Sequence, residues 1–90
     1  MAKFYYVYLL QSHKDTQWYI GSTEDLKKRF EEHQTGRTLS TKERGPWKLL
    51  YYEACLDKRD AEHRERYFKT TYGHRYLKNR LKSYFDGVRL

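Results

Sequence analysis

Arg29 and His33 stand four residues apart in "DLKKRFEEHQ", one turn apart if that stretch is a helix. At 100° per residue, Leu26, Phe30 and His33 fall within about 60° of one another, with Arg29 at the edge of that arc. Lys27, Lys28, Glu31 and Glu32 cover the opposite side. An imidazole thus interrupts the apolar face and a guanidinium flanks it. A later stretch repeats the pattern with the opposite sign: Ala61, Glu65, Phe68 and Tyr72 share one stripe, while Glu62, His63, Arg66 and Thr70 face away. A carboxylate in a buried stripe is costly unless a cation or a metal pairs with it. The bland readings are a hydrogen-bonded core histidine, a snorkelling arginine and an ion pair between Glu65 and Arg29. The sharper reading of Glu65 is a divalent metal. With Tyr8 and Tyr19 on neighbouring strands, these are the parts of a phosphodiesterase: a base for the water, cations for the phosphorane charge, a metal or acid for the leaving oxygen.

A single acid limits the metal chemistry. Two-metal sites need several carboxylates holding ions about 4 Å apart. Apart from Glu65, the acids fall at caps, in loops or on solvent faces, with Glu53 on the third strand the ambiguous one. His13, His33, His63, His74 and Cys55 have no zinc-ligand spacing.

The elements that must position these groups follow from pattern. Phe4 to Leu10 reads as a strand, "SHKDTQ" as a turn, and Trp18 to Gly21 as the returning strand of a hairpin. Ser22 or Thr23 is expected to cap a helix carrying Glu24 and Asp25 in its first turn and ending at Gly36, a left-handed cap. "RTLSTKERGP" is a basic loop, and Trp47 to Cys55 a third strand. Asp57 caps a second helix expected to run to about Tyr72, closed by Gly73; His74 to Phe85 is a third. The order argues for α+β: a small three-stranded, mostly antiparallel sheet, hairpin plus third strand, covered by about three helices. The direction and neighbour of the third strand stay open.

Ninety residues without repeat or linker form a single domain over 1–90. No stretch approaches the roughly 18 apolar residues of a membrane span. No small-residue cleavage site follows the N-terminal "FYYVYLL", and the lone Cys55 suits a reducing cytoplasm. The net charge is +7, and ten basic against four acidic residues between Lys58 and Leu90 put +6 of it in the last third. That asymmetry, with ten tyrosines, points to a polyanion, a phosphate backbone above all. Lys42, Arg44, Lys78, Arg80 and Lys82 are the expected phosphate contacts, with Ser22 and Lys69 beside the site.

"YVY" at Tyr6 to Tyr8 and "YIG" at Tyr19 to Gly21 resemble the paired motif of the GIY-YIG nuclease superfamily, although Tyr6 replaces the glycine of the first motif. Arg29 and His33 fall where that family keeps an arginine and a histidine or tyrosine. "AEHRERYFK", Ala61 to Lys69, resembles its helix with an acid at the Glu65 place, and "RYLKNRL" offers Asn79 at its last polar site. The resemblance spans the chain and is nearest to small stand-alone bacterial members, similar to the N-terminal nuclease domain of the bacterial excinuclease.

What the resemblance implies can be carried over residue by residue. Glu65 would hold a single Mg²⁺ or Mn²⁺, Tyr8 would activate or position the attacking water, and Tyr19 would orient the water or the phosphate. Arg29 would stabilise phosphoryl charge, and His33 would assist proton transfer or bond a tyrosine. Asn79, on a side away from Leu77, Leu81 and Tyr84, reaches the site only if that face turns inward. The expected activity is DNA endonuclease with low intrinsic specificity, in repair or processing, which leaves room for a targeting partner. Branched or damaged DNA suits it, and RNA remains an alternative. The rival from another class is a nucleic-acid-binding module with the same fold and little catalysis.

Overall fold

The computed structural model describes residues 2–38 and 41–88. Leu39 and Ser40 of the expected basic loop lie outside them. Three strands, β1 (Tyr5–Ser12), β2 (Trp18–Thr23) and β3 (Trp47–Cys55), form one antiparallel sheet in the order β2-β1-β3. Four helices accompany it: α1 (Leu26–Gln34), α2 (Lys58–Phe68), α3 (Thr71–Arg80) and α4 (Lys82–Val88). The architecture is α+β, with the third strand antiparallel to β1 on the side away from β2.

Central β1 is buried on both faces through Val7, Tyr8, Leu9 and Leu10. Strand alternation sends these side chains to different cores. Tyr8 and Leu10 meet Trp47, Tyr19, Leu26, Phe30 and Leu49 under α1. Val7 and Leu9 meet Ile20, Ala61, Phe68 and Leu77 under α2 and α3. The sheet is therefore covered on both faces, and edge strand β2 contributes to each core through Ile20 and Tyr19.

The helix boundaries correct the sequence reading in three places. Asp25 caps α1 by accepting from the Lys28 N–H, because Ser22 and Thr23 are still paired to β1 (Val7↔Ser22, Tyr6↔Thr23). Gly36, with φ 75°, has the expected left-handed backbone just past that helix. Second, α2 is capped by Asp57 as expected but stops at Phe68, and Thr70 caps a new helix by accepting from the Gly73 N–H. Gly73 therefore opens a helix instead of closing one. A Cβ there would stand 2.6 Å from Phe68 Cα and against the Tyr67 carbonyl, so only glycine lets α3 approach α2 this closely. Tyr72, expected in the buried stripe of α2, is in consequence 69% exposed on α3. Third, the expected His74–Phe85 helix is two, broken at Leu81.

Candidate active site

Tyr8 and Gly21 are directly paired across β1 and β2. A Cβ at Gly21 would lie 2.5 Å from the Tyr8 hydroxyl and 2.7 Å from Cζ, so the tyrosine passes over the glycine toward the sheet edge. Its Oη reaches His33 Nε2 at 2.8 Å, and His33 Nδ1 reaches Thr41 Oγ1 at 2.8 Å. Thr41 in turn lies 3.4 Å from the Thr38 carbonyl, to which it donates. That direction makes Thr41 the acceptor of the Nδ1–H proton, leaving Nε2 to accept from Tyr8. Tyr8, His33 and Thr41 are all buried. Tyr19 packs on the pair, its ring centroid 4.9 Å from His33 and 6.3 Å from Tyr8.

Burial fixes the protons. It pushes the Tyr8 phenol up to about 12, against the opposing pull of the Arg29 guanidinium, with Tyr19 and Glu65 charges adding to the rise. Burial, seconded by the Arg29 charge, lowers His33 to about 4. At neutral pH the pair is a phenol and a neutral imidazole. Arg29 itself is raised by its contact with Tyr8 and reaches Glu32 Oε1 at 3.2 Å.

The next residue of β2 carries the other half of the site. Ser22 points to the opposite face, where its Oγ donates to Glu65 Oε1 at 2.5 Å; Lys69 Nζ donates to Oε2 at 2.7 Å. Burial works to raise the Glu65 carboxyl, but the Lys69 and Ser22 hydrogen bonds and the Lys69 and Arg66 charges hold it below its ordinary value. The bland alternative for Glu65, an ion pair with Arg29, is not formed: each has its own partner. Among the described residues no three His, Cys, Asp or Glu side chains cluster. The donor set still suits a hard divalent cation, which takes oxygen ligands and, for Mg²⁺, keeps several waters on one or two carboxylates. Glu65 is ionised, is held by a hydroxyl, and already carries one cation.

The structure thus gathers Tyr8, Tyr19, Arg29 and His33 on one face of β2 and Ser22, Glu65 and Lys69 on the other. Asn79 is exposed on α3 and lines a different cleft with Trp18, Lys78 and Lys82. The inward turn that would have carried it to the site does not occur, because α3 buries Leu77 and Gly73 instead. The expected phosphate contacts divide. Lys42 is exposed in the loop after α1, and Arg44 lies over the Trp47 ring at 5.0 Å and near Asp15. Arg80 lies over Tyr51 at 5.9 Å, apart from Lys78 and Lys82. Glu53 is bound in bidentate fashion by Arg64, at 2.9 and 3.1 Å, and accepts from Tyr51. Sequence reasoning missed Thr41, which sits in a loop without period. It also missed the steric role of Gly21, which the register Tyr8↔Gly21 makes plain.

Residues 4–82 match the GIY-YIG catalytic domain. A UPF0213 protein of Clostridium perfringens is 45% identical over 65 residues, 71% of this chain and 69% of its own length. One from Limosilactobacillus reuteri is 41% identical over 68 residues, covering 72% and 70%. The solution NMR structure of a UPF0213 protein from Bacillus halodurans superposes with a TM-score of 0.54 at 32% identity, over 84% of this chain and 83% of that one. A GIY-YIG domain implies nuclease chemistry on a nucleic-acid substrate, and such nucleases typically use a divalent metal. No described helix is long and apolar enough to cross a membrane. The paired tyrosines, the helix arginine and histidine, and a match over nearly the whole chain make this protein a member of the GIY-YIG family, alongside the UPF0213 proteins.

Proposed function

We propose that the protein is a metal-dependent endonuclease that hydrolyses DNA phosphodiester bonds with low intrinsic sequence specificity. One observation carries this reading. Gly21 and Ser22, adjacent on edge strand β2, bring the Tyr8–His33 pair from one face and the Glu65 carboxylate from the other to neighbouring positions of one strand.

The residues support a definite division of labour. Tyr8 Oη, donating to the neutral His33 Nε2, keeps a lone pair free to accept a hydrogen bond from the attacking water and positions it against phosphorus. His33, with Nδ1–H on Thr41, holds the phenol in that direction. A phenol held at about 12 and an imidazole lowered to about 4 keep their protons where they are near neutrality, so the proton lost by the water leaves to solvent. Arg29, beside Tyr8, meets the charge that develops on the phosphoryl oxygens. Tyr19 walls the pair and orients the water or phosphate. Ser22 fixes the Glu65 carboxylate by donating to Oε1. Glu65 would hold a single Mg²⁺ or Mn²⁺, which when bound supplies Lewis-acid stabilisation to the phosphate and the leaving oxygen. Asn79 stands outside this set. The likeness to the excinuclease nuclease domain is what supports a place in DNA repair or processing.

A nicking assay on plasmid and branched DNA with Mg²⁺ or Mn²⁺ tests the proposal. Wild-type protein is expected to nick, EDTA to stop it, and Glu65→Ala to be inactive. DNA bound but never cut under either metal would favour the binding-module reading instead.

A further inference from the structure

A second cleft lies on the α3–α4 side of the sheet. Its floor is aromatic: Trp18, at the start of β2, and Phe85, on α4, stack with centroids 5.9 Å apart and planes 17° apart. Its rim carries Arg75, Lys78 and Lys82, against a single carboxylate, Asp86, which reaches Lys82 at 3.3 Å. Two primary amides, Gln11 and Asn79, complete the lining. The volume is about 670 Å³, within the range of pockets that take a molecule the size of a nucleotide.

Each part matches one part of an unpaired nucleotide. Arg75 and Lys78 are exposed cations suited to phosphate oxygens. The Trp18–Phe85 floor suits a base, since every base has an apolar face. Amides both donate and accept, as base edges require. A duplex cannot fill such a cleft, because its base faces are closed by their own stacking. Position adds a second argument. Trp18, Ile20 and Ser22 share one face of β2, so the cleft begins four residues from Ser22 and Glu65, about 13 Å along the sheet edge.

We propose that this cleft docks an unpaired polynucleotide segment flanking the scissile bond, so that the protein prefers DNA with a single-stranded tail or branch. This rests on the nuclease reading above and assigns Asn79 to substrate binding.

Tryptophan fluorescence tests it, with EDTA present to keep strands intact. Trp47 is 1% exposed, so quenching by added nucleic acid reports Trp18. Probes are a short oligo-dT, a blunt duplex, and the same duplex with an unpaired dT or rU tail. Tailed duplex is expected to bind roughly tenfold tighter than blunt. It should quench, whereas blunt duplex should not, and Trp18→Phe should lose the quench. Arg75→Ala with Lys78→Ala, both on the surface, should lower the salt slope for tailed duplex relative to blunt by about 1.4, at 0.7 per phosphate on single strands. Preference for either a DNA or an RNA tail supports the cleft. Equal affinity for tailed and blunt duplex, or equal loss of slope on both, overturns it while leaving the nuclease reading standing. No binding to any probe overturns both.

Discussion

His33 shows how far a single buried side chain determines behaviour. Unfolded, it takes up a proton near pH 6.5; folded, it resists down to about pH 4. Between those values the unfolded chain binds more protons, so His33's contribution to stability is complete above about pH 6.5 and falls as pH drops. The slope is at most about 1.4 kcal/mol per pH unit. Thermal melts of wild type and His33→Asn between pH 4 and 7 check this. The variant should show the shallower dependence, and equal slopes would remove the buried neutral imidazole. Gly21 makes an equally local demand. In Gly21→Ala the new methyl meets a tyrosine that is 1% exposed and bonded to His33, so it cannot swing away. The expected cost is about 1–3 kcal/mol, with cleavage lost. A variant that melts and cuts like wild type would show that Tyr8 has room to move. The helix histidine was legible from its place on an apolar face, and so was its role as a bonded residue. Thr41, its partner, was not, because nothing in a loop's composition says which side chain turns inward. The cation on Glu65 was four residues away on the same helix, at the spacing where such pairs form. The sequence reading gave Glu65 a divalent metal, with Arg29 across the fold as the bland alternative, and passed over this neighbour.

Among the elements, β3 and the α2 start were legible to the residue: a nine-residue aromatic and aliphatic run ends in a turn with Asp57 as cap. The α2–α3 junction was not. The stripe through Glu65, Phe68 and Tyr72 continues with helical spacing, and Gly73 reads naturally as a terminator. Its actual work is close packing, which depends on where α3 returns and leaves no mark on local periodicity. Gly73→Ala is therefore expected to push α3 off Phe68. At about 1–3 kcal/mol, and roughly 4–8 °C per kcal/mol for a domain of this size, the melting temperature should drop clearly. An unchanged melt would mean the junction yields without cost. The register of β1 on β2 matters most to the site, because it sets the Tyr8 hydroxyl over Gly21 and leaves Ser22 for Glu65. The paired "YVY" and "YIG" motifs are thus two strands in one register.

For the molecule as a whole, charge is the property that composition predicted best and position least. The excess of cations implies binding dominated by phosphate contacts, but they occupy separate surfaces: Lys42 and Arg44 in the loop before β3, Lys78 and Lys82 at the second cleft, Arg80 toward β3. If these five each neutralise one phosphate, those at the second cleft on the unpaired tail, log affinity for tailed duplex DNA should fall with log salt at a slope of roughly −4. Filter binding over a salt titration measures it, and a flat response would contradict a phosphate-tracking surface.

In the proposed mechanism Glu65, on its hydroxyl and ammonium supports, provides the one protein carboxylate through which a divalent cation serves cleavage. Glu65→Gln keeps the shape, lets Ser22 go on donating to the side-chain oxygen, and removes only the charge. Plasmid nicking by this variant with Mg²⁺, measured beside its DNA affinity and melting temperature, is the direct test. No detectable nicking is expected, with affinity and melting close to wild type because binding rests on the basic surfaces and the Lys69 side chain is half exposed at 54%. A Glu65→Gln protein that still nicks DNA at the wild-type rate would contradict it.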